Sequence, residues 1–320
     1  MRTLLRKWYF DLLAPDDVYV FAYFAELIHL RQSVLSVKLH CAMPGRSPQT
    51  VSFAESRQKV DEAGEARSIR FPDGSIEIAG DECHLVFSRD LCRVDLHYSA
   101  GEPVQGAPLE ITGPDGGRVL WTPVCLKYLV SGEVNIGADL LTVSEANGYA
   151  DHLESTISPS HIPVRTLHWG RIHHDEVDLA YAYCQGDREN YSRLFLRTGG
   201  RSSELKVTSL VESPLPGESF ELQAEGPSDQ LTLSVHHLCP VQQGGVVDPH
   251  LLRTWMLRSL LGGLTRTVYS TKYLSWGDIT LSGRTLRYSS LDMIDEVVHL
   301  GRGTPGSRFR LRKSRSEKVY

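Results

Sequence analysis

Alternation with a period of two residues, broken at short intervals by turn chemistry, is the feature that most limits what this chain can fold into. In residues 33 to 40, SVLSVKLH, Leu35, Val37 and Leu39 point one way while Ser36, Lys38 and His40 point the other, as in a half-buried strand. Cys92, Val94, Leu96 and Tyr98 alternate in the same manner with Arg93, Asp95 and His97. Turn residues separate such runs: PDGS at 72 to 75, PDGG at 114 to 117, GPSD at 226 to 229 and SG at 282 to 283. Each predicts a hairpin, and together they predict an all-β antiparallel architecture. The stretch VYVFAYFAEL, 18 to 27, is apolar on both faces, with Tyr19, Phe21 and Tyr23 opposite Val18, Val20 and Phe24. A strand of that kind needs cover on both sides.

One segment departs from this period. In DPHLLRTWMLRSLLGG, Asp248 can cap a helix, Pro249 fits its first position, and Gly262 with Gly263 can end it, so a helix is expected at about 249 to 261. At 320 residues the chain is long enough for two domains of ordinary size. RTGGRSSE, 197 to 204, reads as the linker, which predicts an N-terminal unit over 1–198 and a C-terminal unit over 199–300. Residues 301–320 turn basic, with Arg302, Arg308, Arg310, Arg312, Lys313, Arg315 and Lys318 against one Glu317, and are expected to form a solvated tail or an edge strand.

Composition removes several classes. Hydrophobic residues at 41% and charged residues at 23% match an ordinary globular chain and no membrane-inserted one. A net charge of -5 with a pI near 6.2 lacks the basic face that nucleic acid requires. Cys41, Cys83, Cys92, Cys125, Cys184 and Cys239 form no Cys-x-x-Cys pair, and the N-terminus MRTLLRKWYFD lacks a signal peptide's apolar run. Free thiols and a cytoplasmic location are the expectation.

The chain carries no G-x-G-x-x-G after a strand, no Walker lysine loop and no G-x-S-x-G elbow, so no cofactor is expected. Histidines cluster between 152 and 174 (His152, His161, His168, His173, His174), but their irregular spacing argues against zinc. Asp151, His152 and Ser155 adjoin, yet neighbours on an extended chain face opposite ways and cannot orient one another as a triad requires. What remains is hydrogen-bond or acid/base catalysis in a dry pocket, with Tyr149, Asp151, His152 and His168 as its polar groups. The competing use is structural, with Asp151 and His152 fastening a turn to nearby backbone.

Three ordered motifs carry a resemblance. KWYFDLLAPDDVYVFAYF, from Lys7, resembles the E-W-W-Y-F-D opening of the AttH-like and carotenoid 1,2-hydratase (hydroxyneurosporene synthase) family. GEVNIGADLLTVSEANGYADHLES, 132 to 155, is similar to its G-x-G-Y-x-D-H-N-W-G stretch, and RTLHWGRIH, 165 to 173, to its W-x-W-G-R segment. The resemblance implies two lipocalin-like antiparallel barrels, a ligand cavity at or between them, and a polyene or other greasy secondary metabolite as ligand. It carries over to Tyr149, Asp151, His152, Trp169, Gly170 and Arg171, whereas Leu153 to Ser155 depart from N-W-G and Lys7 replaces an acidic position.

The expected protein is therefore a cofactor-independent cyclase or isomerase of secondary metabolism, a pericyclic [4+2] cyclase acting on a linear polyene or polyketide intermediate in a pocket between the barrels. Orientation alone can lower such a barrier by roughly 7 to 11 kcal/mol at the favourable limit. Tyr149, His152 and His168 are expected as donors, Asp151 as their orienter or as an acid, and Trp8, Trp169 and Trp276 as wall or scaffold. Arg171 is expected to partner a carboxylate. The alternatives are a hydratase in which Asp151 protonates an alkene, and a non-catalytic carrier of a hydrophobic small molecule. No nucleic-acid partner and no membrane insertion are expected.

Overall fold

The computed structural model describes residues 4–15, 18–29, 32–56, 58–63, 66–113, 115–157, 162–213, 218–245 and 268–300, and across them the chain is all β. Twelve strands form the first sheet: β1 (Leu4–Ala14), β2 (Val18–His29), β3 (Gln32–Ala42), β4 (Gln49–Glu55), β5 (Lys59–Ala63), β6 (Ala66–Phe71), β7 (Gly74–Ala79), β8 (Glu82–Arg89), β9 (Cys92–Ser99), β10 (Leu109–Thr112), β11 (Arg118–Ile136) and β12 (Asp139–Ser155). Their order is β4-β3-β2-β1-β12-β11-β9-β8-β7-β6-β5, with β10 beside β11. Eight more close into a barrel in sequential order: β13 (Val164–His173), β14 (Val177–Gly186), β15 (Asn190–Thr198), β16 (Arg201–Glu212), β17 (Ser219–Glu225), β18 (Gln230–Gly245), β19 (Val268–Leu281) and β20 (Arg284–Leu300). Every pairing is antiparallel.

The alternation sorts side chains into three cores. Leu35, Val37 and Leu39, with Cys92, Val94, Leu96 and Tyr98, pack in the concave face of the curled first sheet. Ile172, Leu179, Tyr181, Leu233 and Met293 fill the closed barrel. A third core lies between the two sheets and includes Tyr9, Tyr19, Phe21, Tyr149, Trp169, Ala180 and Ala182. The doubly apolar β2 is accounted for, because Val20, Ala22 and Phe24 enter the first core while Tyr19 and Phe21 enter the third. The four turns expected from the sequence join β6 to β7, β10 to β11, β17 to β18 and β19 to β20.

Two expectations need correction. Gly199 and Gly200 adopt φ of 55° and 73° and form a two-residue hairpin turn in which Thr198 pairs with Arg201, because glycine makes positive φ cheap and such a turn matches strand twist. The expected boundary at 198/199 thus falls inside the closed barrel, and the chain changes sheet between Ser155 and Val164. The single substantial helix is not borne out: residues 249 to 261 lie outside the described residues, and no described residue is helical. Residues 301–320 also lie outside them. Among the described residues no helix is long and apolar enough to cross a membrane. No disulfide joins any of the six cysteines, and five of them are buried.

Candidate active site

The motif glycines explain how two irregular stretches meet. A Cβ on Gly148 would lie 2.3 Å from Val130 and 2.9 Å from the Tyr98 ring, and one on Gly170 would lie 2.6 Å from the Tyr181 hydroxyl. Each glycine therefore gives an aromatic ring room inside its own sheet. The pleat then turns the adjacent residues, Tyr149 and Trp169, outward to face each other with ring centroids 5.5 Å apart. Trp169 also packs edge-on against Tyr9 at 5.1 Å.

Beside these rings lies a cavity of about 230 Å³ with largely apolar walls, among them Leu5, Trp121, Leu153, Ile162, Leu167, Trp169 and Ala182. Four charged side chains reach it: Lys7 from β1, Asp151 from β12, Lys272 from β19 and Glu296 from β20. Asp151 Oδ2 accepts hydrogen bonds from Trp121 Nε1 (3.0 Å) and from the Tyr149 hydroxyl (3.3 Å). Both bonds fall on one oxygen, so Oδ1 has no protein donor among the described residues. Burial pushes the Asp151 carboxyl up to about 6, against the opposing pull of Lys7, the Trp121 bond and Lys272.

Glu296 is the electrostatic opposite. Burial acts to raise its pKa, but the ammonium groups of Lys272 and Lys7, with hydrogen bonds from Lys272 and Ser270, hold it below the usual carboxylate value. Lys272 is fully buried, ion-paired with Glu296, and surrounded by the rings of Tyr9 (4.7 Å), Trp169 (4.9 Å), Phe21 and Tyr23 (5.5 Å each). Lys7 Nζ stands 4.1 Å from the Tyr23 ring centroid, and burial lowers its pKa despite the attraction of Glu296 and Asp151.

Of the residues expected at the site, Tyr149, Asp151 and Trp169 meet here. Tyr149 is fully buried behind Asp151, which raises its hydroxyl pKa well above the usual phenol value, first through desolvation and then through the Asp151 charge. The others face elsewhere. Trp8 and His152 pair across β1 and β12 with ring centroids 5.3 Å apart. They point away from the cavity, because they alternate with Tyr9 and Asp151. Burial, with the Arg67 and Arg6 charges, pushes the His152 imidazole down to about 3. His168 alternates with Trp169 and points into the closed barrel, against the Phe220 ring at 5.5 Å, with Nε2 2.9 Å from Glu212. Trp276 is 40% exposed and stacks on His236 at a separate surface pocket.

Arg171 does partner a carboxylate: its Nη2 lies 2.7 Å from Asp11 Oδ1. The cavity residues not singled out by the sequence are Trp121, Lys272 and Glu296; Lys7 was visible as a charged departure in the opening motif. Among the described residues no three His, Cys, Asp or Glu side chains are placed to hold a metal.

No family model matches the chain, and no curated protein matches it in sequence. Solved structures do. A candidate AttH from Nitrosomonas europaea aligns over 93% of this chain and 92% of its own with a TM-score of 0.55 at 11% identity. Kievitone hydratase from Nectria haematococca aligns over 92% of this chain and 88% of its own, with a TM-score of 0.58 at 9% identity. The fold is similar to that of AttH-like proteins. At these identities the likeness speaks to fold, and at that level it agrees with the resemblance carried by the three motifs.

Proposed function

We propose that the chain is a cofactor-independent enzyme that protonates an unsaturated, largely apolar small molecule in the cavity between the sheets. The observation that carries this reading is Asp151, a carboxyl raised to about 6 at an apolar wall with one oxygen lacking a protein donor. Environments that push two carboxyls in opposite directions assign an acid and a base. Asp151 is the acid and ionised Glu296 the base. The Asp151 proton passes to one alkene carbon, the π pair forms the new C–H bond, and the adjacent carbon becomes a cation beside the aromatic walls. In hydration a water oxygen adds to that cation and loses its proton to Glu296, and exchange with bulk water resets both carboxyls. In cyclisation or isomerisation a neighbouring π bond or proton loss takes the place of water. The fold likeness to kievitone hydratase is compatible with the hydration outcome.

A pericyclic [4+2] cyclase is the second reading, favoured by the apolar, aromatic-walled cavity, which could fold a polyene by shape alone. Incubation of kievitone and of linear conjugated trienes in heavy water separates the two. The acid mechanism predicts deuterium in the product, with or without the mass of water, and loss of roughly 10² to 10⁴ in rate for Asp151→Asn. An isobaric, unlabelled product formed equally well by Asp151→Asn would overturn it in favour of the pericyclic cyclase. A ligand returned unchanged would support a carrier.

A further inference from the structure

Lys7 is the charged group of the cavity that, among the described residues, has neither a close ion pair nor a hydrogen bond, although Glu296 and Asp151 attract it from farther away. Lys272 is ion-paired with Glu296, and Asp151 is held by Trp121 and Tyr149, whereas Lys7 Nζ lies beside ring faces, Tyr23 at 4.1 Å and Tyr9 at 5.9 Å. No ion pair or hydrogen bond joins it to another residue among those described. An ammonium group has three donors and no acceptor. Ring faces satisfy its charge in part and its hydrogen-bonding capacity poorly.

Resting on the cavity reading above, we infer that Lys7 is a specificity-determining residue that receives an anionic oxygen of the ligand, so that the substrate class is an apolar unsaturated chain carrying a carboxylate or comparable acidic head. The aromatic and aliphatic walls take the chain, and Lys7 sets which end enters. Burial lowers the basicity of Lys7, and an incoming anion opposes that effect because it favours the ammonium form.

Titration of the purified protein with decanoate and with decanol tests this, read by the fluorescence of Trp121 and Trp169 at the cavity wall. The expected result is that decanoate binds tighter than decanol by about tenfold to a hundredfold, the range for a hydrogen bond to a charged group. Lys7→Met should lose that factor for decanoate while decanol affinity changes by less than about twofold, as a lost charge contact requires. Lys7→Arg should keep the preference, which separates lost charge from a disturbed fold. Equal binding of both probes by the wild type, or a preference that survives in Lys7→Met, would overturn the assignment and leave the cavity reading standing. Quenching by neither probe would overturn both.

Discussion

Arg171 Nη2 lies 2.7 Å and Nε 3.1 Å from Asp11 Oδ1, and neither side chain is exposed to solvent. The pair joins the opening motif on β1 to the W-G-R motif on β13 across the two sheets. Asp11 Oδ2 also accepts from the Tyr9 hydroxyl (2.8 Å), which in turn contacts the Tyr19 hydroxyl (2.7 Å). Desolvating two ions is expensive, and a buried pair breaks even only when further hydrogen bonds complete it. Removing one partner is worse, because a buried charge is left alone. Arg171→Met should destabilise the fold by about 3 to 5 kcal/mol, and Asp11→Asn combined with Arg171→Met by clearly less. Urea unfolding of the single and double variants measures both. Equal losses would show that packing, not charge, dominates at this position.

Asp151 should trade stability for function. Its folded pKa is raised from 3.8 to about 6, so the folded state binds more protons than the unfolded state between those values. The associated stability is fully present below about 3.8 and is lost as pH rises through about 6. Asp151→Asn carries no such penalty, so at pH 8 it should be more stable than wild type by at most about 3 kcal/mol. The difference should shrink to near zero by pH 4. Melting temperatures across that range would contradict the burial of an ionised Asp151 if the two curves ran parallel.

Trp121 holds Asp151 acidic relative to what burial alone would impose, through its 3.0 Å hydrogen bond. Trp121→Phe keeps an apolar wall and removes the donor. The Asp151 carboxyl should then titrate higher by about one pH unit, since a hydrogen bond to a charged group stabilises the ionised form. Carboxyl carbon NMR of aspartate-labelled protein reads this directly, and an unchanged or lower midpoint would remove Trp121 from the site's electrostatics.

Ligand binding should respond to one side of a strand and not the other. Trp169→Ala opens the cavity wall and should weaken binding of an apolar probe such as decanol by tenfold or more, since burial of a large aromatic surface is lost. His152→Ala and His168→Ala alter residues that face the interior of the curled first sheet and of the closed barrel respectively, and should leave the same affinity within about twofold. Ligand-induced shifts in melting temperature compare all three. A His152 or His168 effect as large as that of Trp169 would place those rings in the binding path.

Much of the architecture was legible because strand and turn signals are local. Period-two alternation marked the strand faces of β3 and β9, and four turn sequences marked the β6–β7, β10–β11, β17–β18 and β19–β20 hairpins. The same pleat already required Asp151 and His152 to face opposite ways. It could not say which of them faced the cavity, because both faces of β1, β12 and β13 are buried and a doubly covered strand looks alike from either side. That choice came from how the two sheets stack, which also decided the fate of Trp8, His168 and Trp276. Gly199-Gly200 was ambiguous for a related reason, since a linker and a tight hairpin use the same residues and only the pairing of Thr198 with Arg201 distinguishes them. Lys272 and Glu296 were hidden by register. Counting back from the Ser282-Gly283 turn sets Lys272 opposite Met293, but the irregularity between Ser275 and Gly277 shifts the pairing and brings Lys272 opposite Glu296. The Asp11–Arg171 bridge joins positions 160 residues apart. Strand identity and the parity of each face follow from the local chain, whereas the inward face, the shifted register and the charge partners depend on contacts between residues that only the closed barrel and its packing against the first sheet bring together.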